Sequence, residues 1–313
     1  RFKKIMSLYK KIKNKNAHIG VVGLGYVGLP LAVEFAKAGF NVSGIEVDDN
    51  KITAINNGNN YIPDVDNSLL ENLVNQGKLL ATNDTSIISK LDAISICVPT
   101  PLSKVNEPDV SYIINSVNAI KEYLHKDFLI ILESTTYPGT TKEVILSKIE
   151  ETGLIAGEDY YLCFSPERID PGNETYNISN TPKVIGGVTN ECTKVGQFLY
   201  SQIVKDVITV SSPETAEMVK LLENTFRSIN IGLANEVAMM CEKLGIDVWE
   251  VINAAITKPY GFMKFTPGPG LGGHCIPIDP LYLSWKMKNL NYNTKFIELA
   301  SKINASMPKH VID

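Results

Sequence analysis

Residues 18–46 of the chain read HIGVVGLGYVGLPLAVEFAKAGFNVSGIE and decide its fold. An apolar run ends at Gly23, a helix-like stretch begins near Gly28, and a second apolar run ends before Glu46. Together with Gly25, the two glycines form GxGxxG between a strand and a helix, the context in which this pattern binds a dinucleotide. The first glycine permits the tight turn, the second lets the backbone approach a pyrophosphate, and the third lets the helix pack on the strand. We therefore predict a dinucleotide site at this turn.

The second predicted strand ends at an acidic residue, Glu46. A carboxylate at this position accepts hydrogen bonds from the adenosine ribose hydroxyls and repels a 2′-phosphate. The sequence therefore favours NAD over NADP as the cofactor. Asp48 is an alternative for the same ribose contact.

Apolar runs continue to alternate with helix-like stretches as far as residue 210. The runs are continuous, which is typical of strands buried on both faces. With helices between them, they predict an α/β fold with a doubly wound, Rossmann-type parallel sheet. The predicted strands cover residues 18–23, 41–47, 93–98, 128–133, 160–164, 183–185 and 207–210.

The character of the sequence changes at residues 211–214, which read SSPE. Serine as a cap, proline at the first helical position and glutamate in the first turn are helix-start signals. Apart from Gly232, no helix breaker follows before Gly245, so we predict a helix of roughly 30 residues, about 45 Å long. Further helices are predicted near residues 248–256 and from Leu281.

These patterns divide the chain into three predicted segments. Residues 1–16 form a basic N-terminal extension with seven Lys and Arg and no acidic residue. Their apolar residues recur at helical spacing, which favours an amphipathic helix, with a weak contact to an anionic membrane surface as the alternative. Residues 17–210 are predicted to form the NAD-binding Rossmann domain. Residues 211–313 are predicted to form a central helical domain that carries a cysteine loop.

Composition excludes several classes of function. The 313 residues carry a formal net charge of −4, so no basic excess indicates nucleic-acid binding. No run of 18 uncharged apolar residues indicates a membrane span. The five cysteines are odd in number, widely spaced and without a CxxC pair. We therefore expect no disulfide framework and no metal site, and we predict a reducing, cytoplasmic location.

One cysteine has a different setting from the others. Cys275 follows two glycines and His274 in a stretch rich in glycine and proline, which makes a packed core position improbable. Its thiolate is a candidate nucleophile that can form a thiohemiacetal with an aldehyde. A Cys–His dyad with His274 is an alternative. The remaining four are interpreted as buried packing residues: Cys97, Cys163, Cys192 and Cys241.

Lys220 and Asn224 are spaced i, i+4 on the long predicted helix and therefore share one face. By spacing alone they are typical of a solvated polar pair. At a buried cleft, the lysine would instead stabilise a developing oxyanion or handle a proton. The sequence leaves both interpretations open.

Six motifs in order resemble the UDP-sugar 6-dehydrogenase family, whose members oxidise UDP-glucose, UDP-N-acetylglucosamine or UDP-N-acetylmannosamine to uronic acids with NAD. The resemblance runs from about Ala17 to the end of the chain. The motifs are GLGYVGLP at 23–30, VPTP at 98–101, ESTTYPGTT at 133–141, SPERIDPGN at 165–173, EMVKLLENTFRSINIGLANE at 217–236 and GPGLGGHCIPIDP at 268–280.

This resemblance implies a four-electron oxidation through a cysteine thiohemiacetal and a thioester, with two NAD consumed per sugar. It implies Cys275 as nucleophile, Lys220 and Asn224 as stabilisers of oxyanions, and Asp279 and Glu167 as residues that handle water or protons. The same resemblance matches these residues to NAD contacts: Gly23, Gly25, Tyr26, Val27, Gly28, Glu46, Lys51, Thr100 and Thr135. It matches these residues to substrate contacts: Glu167, Arg168, Lys220, Asn224 and Gly272.

Two positions differ from the members that use UDP-glucose. Pro171 replaces a family glutamate, and Ile278 replaces a family lysine. Both departures resemble the branch that uses N-acetylhexosamines. We therefore predict UDP-N-acetylglucosamine as the substrate, with UDP-N-acetylmannosamine, its galacto epimer and UDP-glucose as alternatives.

The resemblance also bears on assembly and completeness. It implies a homodimer formed through the long central helix. It further implies a C-terminal UDP-binding domain, which we expect to be absent from this chain. A one-step β-hydroxyacid dehydrogenase and an NAD-binding or dimerising module without turnover are the competing hypotheses.

Overall fold

The computed structural model of the protein describes residues 2–103, 107–169, 172–173, 175–273 and 275–312. The chain forms two compact units. The first consists of Arg1–Pro101 and Asp109–Lys220, and the second of Leu102–Pro108 and Leu221–Asp313.

The described residues of the first unit contain an eight-stranded sheet. Its strands are β1 (His18–Val22), β2 (Asn41–Ile45), β3 (Leu79–Thr82), β4 (Ala93–Ile96), β5 (Phe128–Leu132), β6 (Tyr160–Phe164), β7 (Lys183–Gly187) and β8 (Val207–Thr209). Their order across the sheet is β3-β2-β1-β4-β5-β6-β7-β8. The predicted strands are therefore confirmed, and β3, which is short and partly exposed, was not predicted.

Both faces of this sheet are covered. Phe128, Ile130 and Leu132 of β5 belong to one buried apolar cluster, whereas Leu129 and Ile131 belong to another. Because successive side chains of a strand point to opposite faces, the two clusters lie on opposite sides of the sheet. This is the doubly wound arrangement expected from continuous apolar runs.

One pairing departs from the predicted parallel sheet. Strand β7 runs antiparallel to β6, with Cys163 opposite Gly187 and Phe164 opposite Gly186, while the other pairs are parallel. A parallel neighbour needs a crossover connection, usually a helix, and the described residues between β6 and β7 contain none. The chain therefore returns antiparallel at β7.

The helices of the first unit lie before, between and after these strands. They are α1 (Phe2–Lys13), α2 (Gly28–Lys37), α3 (Asp49–Asn56), α4 (Asn67–Asn75), α5 (Ser111–Tyr123), α6 (Ser147–Glu150), α7 (Asn190–Tyr200) and the start of α8 (Pro213–Leu244). A 3₁₀ helix spans Thr85–Lys90, and a π-helical segment, Thr141–Leu146, precedes α6.

The predicted N-terminal helix is confirmed as α1 and packs on the first unit. Leu8 and Ile12 are buried, and the rings of Tyr9 and Phe198 are 4.8 Å apart. Lys11 pairs with Asp92 at 2.7 Å. Burial of its apolar stripe therefore anchors α1.

The predicted long helix is confirmed as α8. Ser212 caps its start by accepting a hydrogen bond from the Thr215 main-chain N–H at 3.2 Å. Its end is marked by Gly245 at φ +69°, and the Ile246 N–H donates back to the Cys241 carbonyl at 2.9 Å. This is a glycine-terminated helix end.

The described part of the second unit is mainly helical. It contains the rest of α8, then α9 (Val248–Ala255), α10 (Cys275–Lys288) and α11 (Lys295–Ile312). The prediction that places Cys275 in a loop and starts the next helix at Leu281 is wrong, since α10 begins at Cys275 itself. Pro277 stands in the first turn, where a missing N–H loses no helical hydrogen bond. The helix also contains Pro280 and continues through it.

A buried carboxylate holds the start of α8 inside the first unit. Glu217 accepts hydrogen bonds from the main-chain N–H groups of Gly139 at 2.6 Å and Thr141 at 2.9 Å, and from the Thr141 hydroxyl at 2.7 Å. Burial raises the pKa of Glu217 to about 7, while these three donors act in the opposite direction. Its position therefore depends on those donors.

We expect Thr141→Val to lower the free energy of unfolding by about 1.5–3 kcal/mol at pH 8, where Glu217 is ionised, because it removes a hydrogen bond to a charged acceptor. Thr140→Val is the matched control, since the buried Thr140 hydroxyl donates to the neutral carbonyl of Tyr137. That control should lose about 0.5–1.5 kcal/mol. Urea unfolding of both variants gives the comparison, and equal losses would contradict the role given to Glu217.

Candidate active site

The turn between β1 and α2 has the geometry that its glycines predict. Gly23 has φ +84°, and a Cβ there would lie 2.7 Å from the carbonyl oxygen of Cys97. A Cβ on Gly28 would collide with the carbonyl oxygen of Gly23. At Gly25, by contrast, a Cβ would meet no heavy atom within 4 Å. The outer glycines therefore allow close packing of the turn, while the middle one faces open space.

The N-terminus of α2 opens at the same turn. Its N-cap position, Val27, supplies no side-chain hydrogen bond to the helix. The first N–H groups of a helix lack intrahelical partners and carry partial positive charge, so they can bind an anion. The adjacent Tyr26 is largely exposed.

Glu46 is buried where β2 ends and is tied to the glycine turn. Its Oε2 accepts from the Leu24 N–H at 2.9 Å, and its Oε1 accepts from the N–H groups of Val47 at 2.9 Å and Asp48 at 3.2 Å. The ammonium of Lys51 lies 3.8 Å from Oε2. The carboxylate is thus fixed beside the turn with capacity to accept further bonds, as a ribose contact requires.

Asp48, the alternative for that contact, has another role in the structure. Its carboxylate caps α3 by accepting from the Asn50 N–H at 2.9 Å. The geometry therefore favours Glu46 as the ribose ligand.

Two threonines lie close together after β4 and β5. The Thr100 hydroxyl donates to the carbonyl of Thr135 at 2.7 Å. Ligands of doubly wound sheets bind outside the carboxyl ends of the strands, where the strand order reverses. Here that point lies between β1 and β4. Together with the open face of Gly25, the uncapped start of α2 and Glu46, these residues fit a dinucleotide such as NAD.

A cluster of charged side chains is buried further along the same edge. The Lys183 ammonium lies 2.7 Å from Glu133 Oε2 and 3.4 Å from Glu167 Oε2. The Tyr200 hydroxyl donates to Glu133 Oε1, and the Tyr200 ring lies 5.0 Å from the ammonium. One cation is therefore shared by two carboxylates.

These contacts shift the ionisation of all three charged groups. Burial raises the pKa of Glu133 to about 7, although Lys183 acts to lower it. Burial also acts to raise the pKa of Glu167, but Lys183, two main-chain N–H groups and Lys220 hold it below its ordinary value. Burial acts to lower the pKa of Lys183, and Glu133 and Glu167 raise it above its ordinary value. The cluster therefore favours an ammonium beside an ionised Glu167.

Lys220 is connected to this cluster through the main chain. Its buried ammonium donates to the carbonyl oxygen of Glu167 at 2.7 Å. The Glu167 carboxylate turns back to accept from the N–H groups of Arg168 at 2.7 Å and Ile169 at 2.8 Å. The Arg168 guanidinium donates to the carbonyl of Pro182 at 2.7 Å. The structure thus brings Lys220 of α8 together with Glu167 and Arg168, which lie on one loop.

In the second unit, the structure brings two predicted residues together. The Asn224 amide donates to Asp279 Oδ2 at 2.5 Å, and both residues are buried. The pair links α8 to α10, the helix that begins at Cys275. Gly272 lies in the exposed segment before α10.

The four cysteines interpreted as packing residues are buried in the structure, and Cys275 is exposed. Cys275 lies at the N-terminus of α10, where the partial positive charge of a helix favours an anion. Two other positions, His274 and Pro171, lie outside the described residues.

Sequence reasoning missed Glu133, Lys183 and Tyr200. Glu133 is the first residue of a motif quoted for the family resemblance, and Lys183 begins a predicted strand. A lysine at the edge of a buried strand is a signal that could have identified it, because buried lysines are almost always paired.

The fold and the glycine turn define a dinucleotide-binding protein of the dehydrogenase type, and comparison with known proteins specifies its kind. Residues 17–204 match the NAD-binding domain of the UDP-glucose/GDP-mannose dehydrogenase family, and residues 214–306 match its central domain. The chain belongs to this family of NAD-dependent UDP-sugar dehydrogenases, and NAD is the cofactor of its N-terminal domain.

Relatives that are named for two different substrates match most of the chain. UDP-N-acetyl-D-mannosamine dehydrogenase of Pyrococcus horikoshii is 39% identical over 292 residues, which are 93% of this chain and 68% of that protein. UDP-N-acetyl-D-glucosamine 6-dehydrogenase of Pseudomonas aeruginosa is 36% identical over 300 residues, with 95% and 70% covered. The solved UDP-D-ManNAc dehydrogenase of Pyrococcus horikoshii has a TM-score of 0.88 at 37% identity, covering 94% of this chain and 70% of that one.

In the part of the chain that the structure describes, no helix combines the length and the apolar character needed to cross a membrane.

The glycine turn generates a paired prediction. Gly25→Ala should leave the thermal unfolding temperature nearly unchanged, because its Cβ meets open space, and should weaken NAD binding about 10-fold or more by filling the space for the pyrophosphate. Gly28→Ala should instead destabilise the protein, because its Cβ collides with backbone. Calorimetric titration with NAD and thermal unfolding give the two results, and unchanged NAD affinity in Gly25→Ala would contradict this location of the cofactor.

Proposed function

We propose that the protein oxidises the C6 alcohol of a UDP-N-acetylhexosamine to the uronic acid with NAD, as a precursor of surface polysaccharide. The observation that supports this most strongly is Cys275, an exposed thiol at a helix N-terminus in a chain of a UDP-sugar dehydrogenase family. An oxidation that stops at an aldehyde or a ketone needs no nucleophile. An oxidation that continues to the acid gains from covalent capture of the aldehyde.

The first half of the reaction takes the alcohol to a captured aldehyde. The C6 hydroxyl loses its proton and C6 loses a hydride, which gives the aldehyde. When bound, NAD⁺ supplies the hydride acceptor. The Cys275 thiolate then adds to C6, so an S–C bond forms and the carbonyl oxygen takes up a proton to give a thiohemiacetal.

The second half takes the thiohemiacetal to the acid. Its hydroxyl loses a proton and C6 loses a second hydride to another NAD⁺, which leaves a thioester on Cys275. Water then adds to the carbonyl carbon, the C–S bond breaks, and the thiolate is regenerated. The balance is one alcohol, two NAD⁺ and one water giving one carboxylate, two NADH and three protons.

Lys220 and Glu167 are assigned to charge and protons. The Lys220 ammonium is buried and fixed by the Glu167 carbonyl, as expected for a group that stabilises oxyanions on the substrate. The Glu167 carboxylate, held ionised by its neighbours, can take the proton of the attacking water. We assign Arg168 and Gly272 to substrate binding on the family resemblance.

Asn224 and Asp279 are assigned to the thioester stages. Their mutual hydrogen bond fixes the amide and the carboxylate in one orientation. The remaining N–H of the Asn224 amide can donate to an oxyanion, and Asp279 can orient water. Asp279 also lies on α10, the helix that begins at Cys275.

We propose a class of sugar nucleotide, the UDP-N-acetylhexosamines, and name one epimer to test first. UDP-N-acetylglucosamine comes first from the motif departures, and UDP-N-acetylmannosamine is the alternative that the name of a 39% identical relative supports. We also propose that the enzyme works in the cytoplasm, because its chemistry requires Cys275 to remain a thiol.

We propose that the protein is a homodimer through α8. Several large apolar side chains on this helix are exposed in the single chain, as a helix face that packs against a second copy would be. In the second unit they are Leu222, Phe226, Leu233, Met240 and Leu244.

A second candidate function is NAD binding and dimerisation without turnover. The chain spans 68% and 70% of the lengths of the two relatives described above. Calorimetric titration separates the candidates: binding of NAD together with a UDP-sugar supports the enzyme, and binding of NAD alone supports the module.

We expect the protein to release two NADH for each UDP-N-acetylhexosamine that it consumes, which can be followed spectrophotometrically. Cys275→Ser should lower uronic acid formation by at least about 100-fold, because the step that holds the aldehyde is lost. Cys241→Ala, at a buried cysteine of the same unit, should retain activity. One NADH per sugar, or full activity of Cys275→Ser, would contradict the mechanism.

A further inference from the structure

Lys183 has no role in the chemistry described above, yet it occupies an unusual position. Its side chain is only 5% exposed, and its ammonium lies 2.7 Å from Glu133 and 3.4 Å from Glu167. A third oxygen, the carbonyl of Pro166, lies at 3.5 Å. The lysine therefore contacts the segment Ser165–Ile169 at both a side chain and the main chain.

Strand direction is what brings Lys183 to this place. It is the first residue of β7, and a first residue lies at the amino edge of a wholly parallel sheet. Because β7 pairs antiparallel with β6, its first residue lies beyond the carboxyl end of β6. Glu133 follows β5, the parallel neighbour of β6, at the same edge. The single antiparallel step thus places a cation among the segments that follow β5 and β6.

A buried ion pair needs a reason other than stability. Apolar replacements of buried ion pairs are often neutral or stabilising, whereas removal of one partner leaves an uncompensated charge. Here one cation serves two carboxylates, and the second carboxylate belongs to Glu167. The carbonyl of that same residue is the hydrogen-bond acceptor of Lys220. The cluster is therefore connected to Lys220 through one loop.

We propose that Lys183 is a positioning residue, which with Glu133 fixes the loop Ser165–Ile169 so that the Glu167 carbonyl holds the Lys220 ammonium in place. This inference rests on the proposed function for the role of Lys220, but the positioning itself is a property of the first unit alone. Lys183 acts through Glu167 and Lys220 and makes no contact with substrate.

Loss of Lys183 has two expected consequences. The loop loses the contacts to Pro166 and to the Glu167 carboxylate, so the acceptor of Lys220 becomes mobile. The Lys220 amine then becomes more accessible to reagents, and its alignment with the developing oxyanion is lost. Binding of NAD at the glycine turn, which uses other residues, is unaffected.

The test uses four variants of the full chain. Lys183→Met removes the cation, and Lys183→Arg retains it as the conservative variant. Lys183→Met leaves two buried carboxylates without their cation. The double variant, Lys183→Met with Glu133→Gln, therefore removes both charges of the Lys183–Glu133 pair. Lys126→Met is the matched control, since Lys126 forms an ion pair with Asp159 and is 57% exposed.

The first measurement is trace acetylation of lysines, read by mass spectrometry, and needs no turnover. In the wild type, Lys220 should be acetylated more slowly than Lys194, an exposed lysine of the same unit. Its rate should rise severalfold in the Lys183→Met variants while that of Lys194 stays unchanged. Lys183→Arg and Lys126→Met should resemble the wild type.

The second measurement is steady-state kinetics of NADH release. The variants that lose the cation should lose roughly 10- to 100-fold in kcat, as expected for a misplaced group, with the KM for NAD unchanged. A kcat close to that of the wild type in Lys183→Arg would distinguish a loss of positioning from a general loss of structure. If the wild type oxidises no UDP-sugar, the proposed function fails, and the acetylation result still decides on Lys183.

Three results would overturn the proposal. One is Lys220 acetylated as fast as Lys194 in the wild type. Another is a folded double variant, shown by unchanged NAD affinity, in which Lys220 acetylation stays at the wild-type rate. The third is a fall in kcat in Lys183→Met that Lys183→Arg and Lys126→Met show to the same extent.

Discussion

A lysine ammonium buried between two carboxylates holds together three segments of the chain at the carboxyl edge of the sheet. Moving such charges out of water costs several kcal/mol each unless each charge finds a partner. Lys183 satisfies this condition because Glu133 and Glu167 both contact it, and Tyr200 donates a further hydrogen bond to Glu133. The loop that carries Glu167 and accepts a hydrogen bond from Lys220 is therefore fixed from within the first unit.

At the part of the same sheet edge where we expect NAD to bind, hydrogen bonds from main-chain N–H groups to a buried carboxylate organise the backbone. The Glu46 carboxylate is bound by the Leu24 N–H, so the residue that would contact the ribose and the turn that would contact the pyrophosphate are parts of one network. Glu217 performs a related task at the start of α8, where it accepts bonds from Gly139 and Thr141. In both places a buried carboxylate fixes a backbone turn that a ligand or a helix requires.

The sequence predicted those features that depend on local rules. The strand, turn and helix at Gly23–Gly28 follow from glycine geometry, and the ends of α8 follow from Ser212 and Gly245. Two features escaped prediction because they depend on long-range structure. The direction of β7 cannot be read from its apolar residues, and it decides on which edge Lys183 lies. The start of α10 at Cys275 was hidden by prolines that the helix accommodates.

We infer that Lys183 remains a cation because Glu133 and Glu167 outweigh the effect of burial on its pKa. Nitrogen-15 NMR of the lysine side chains during a pH titration measures this directly, with Lys183→Arg identifying the resonance. We expect the Lys183 ammonium to keep its proton after the solvent-exposed lysines have lost theirs, because its pKa is raised by Glu133 and Glu167. Loss of that proton at or below the pH at which ordinary lysines lose theirs would contradict this inference, since the effect of burial would then dominate.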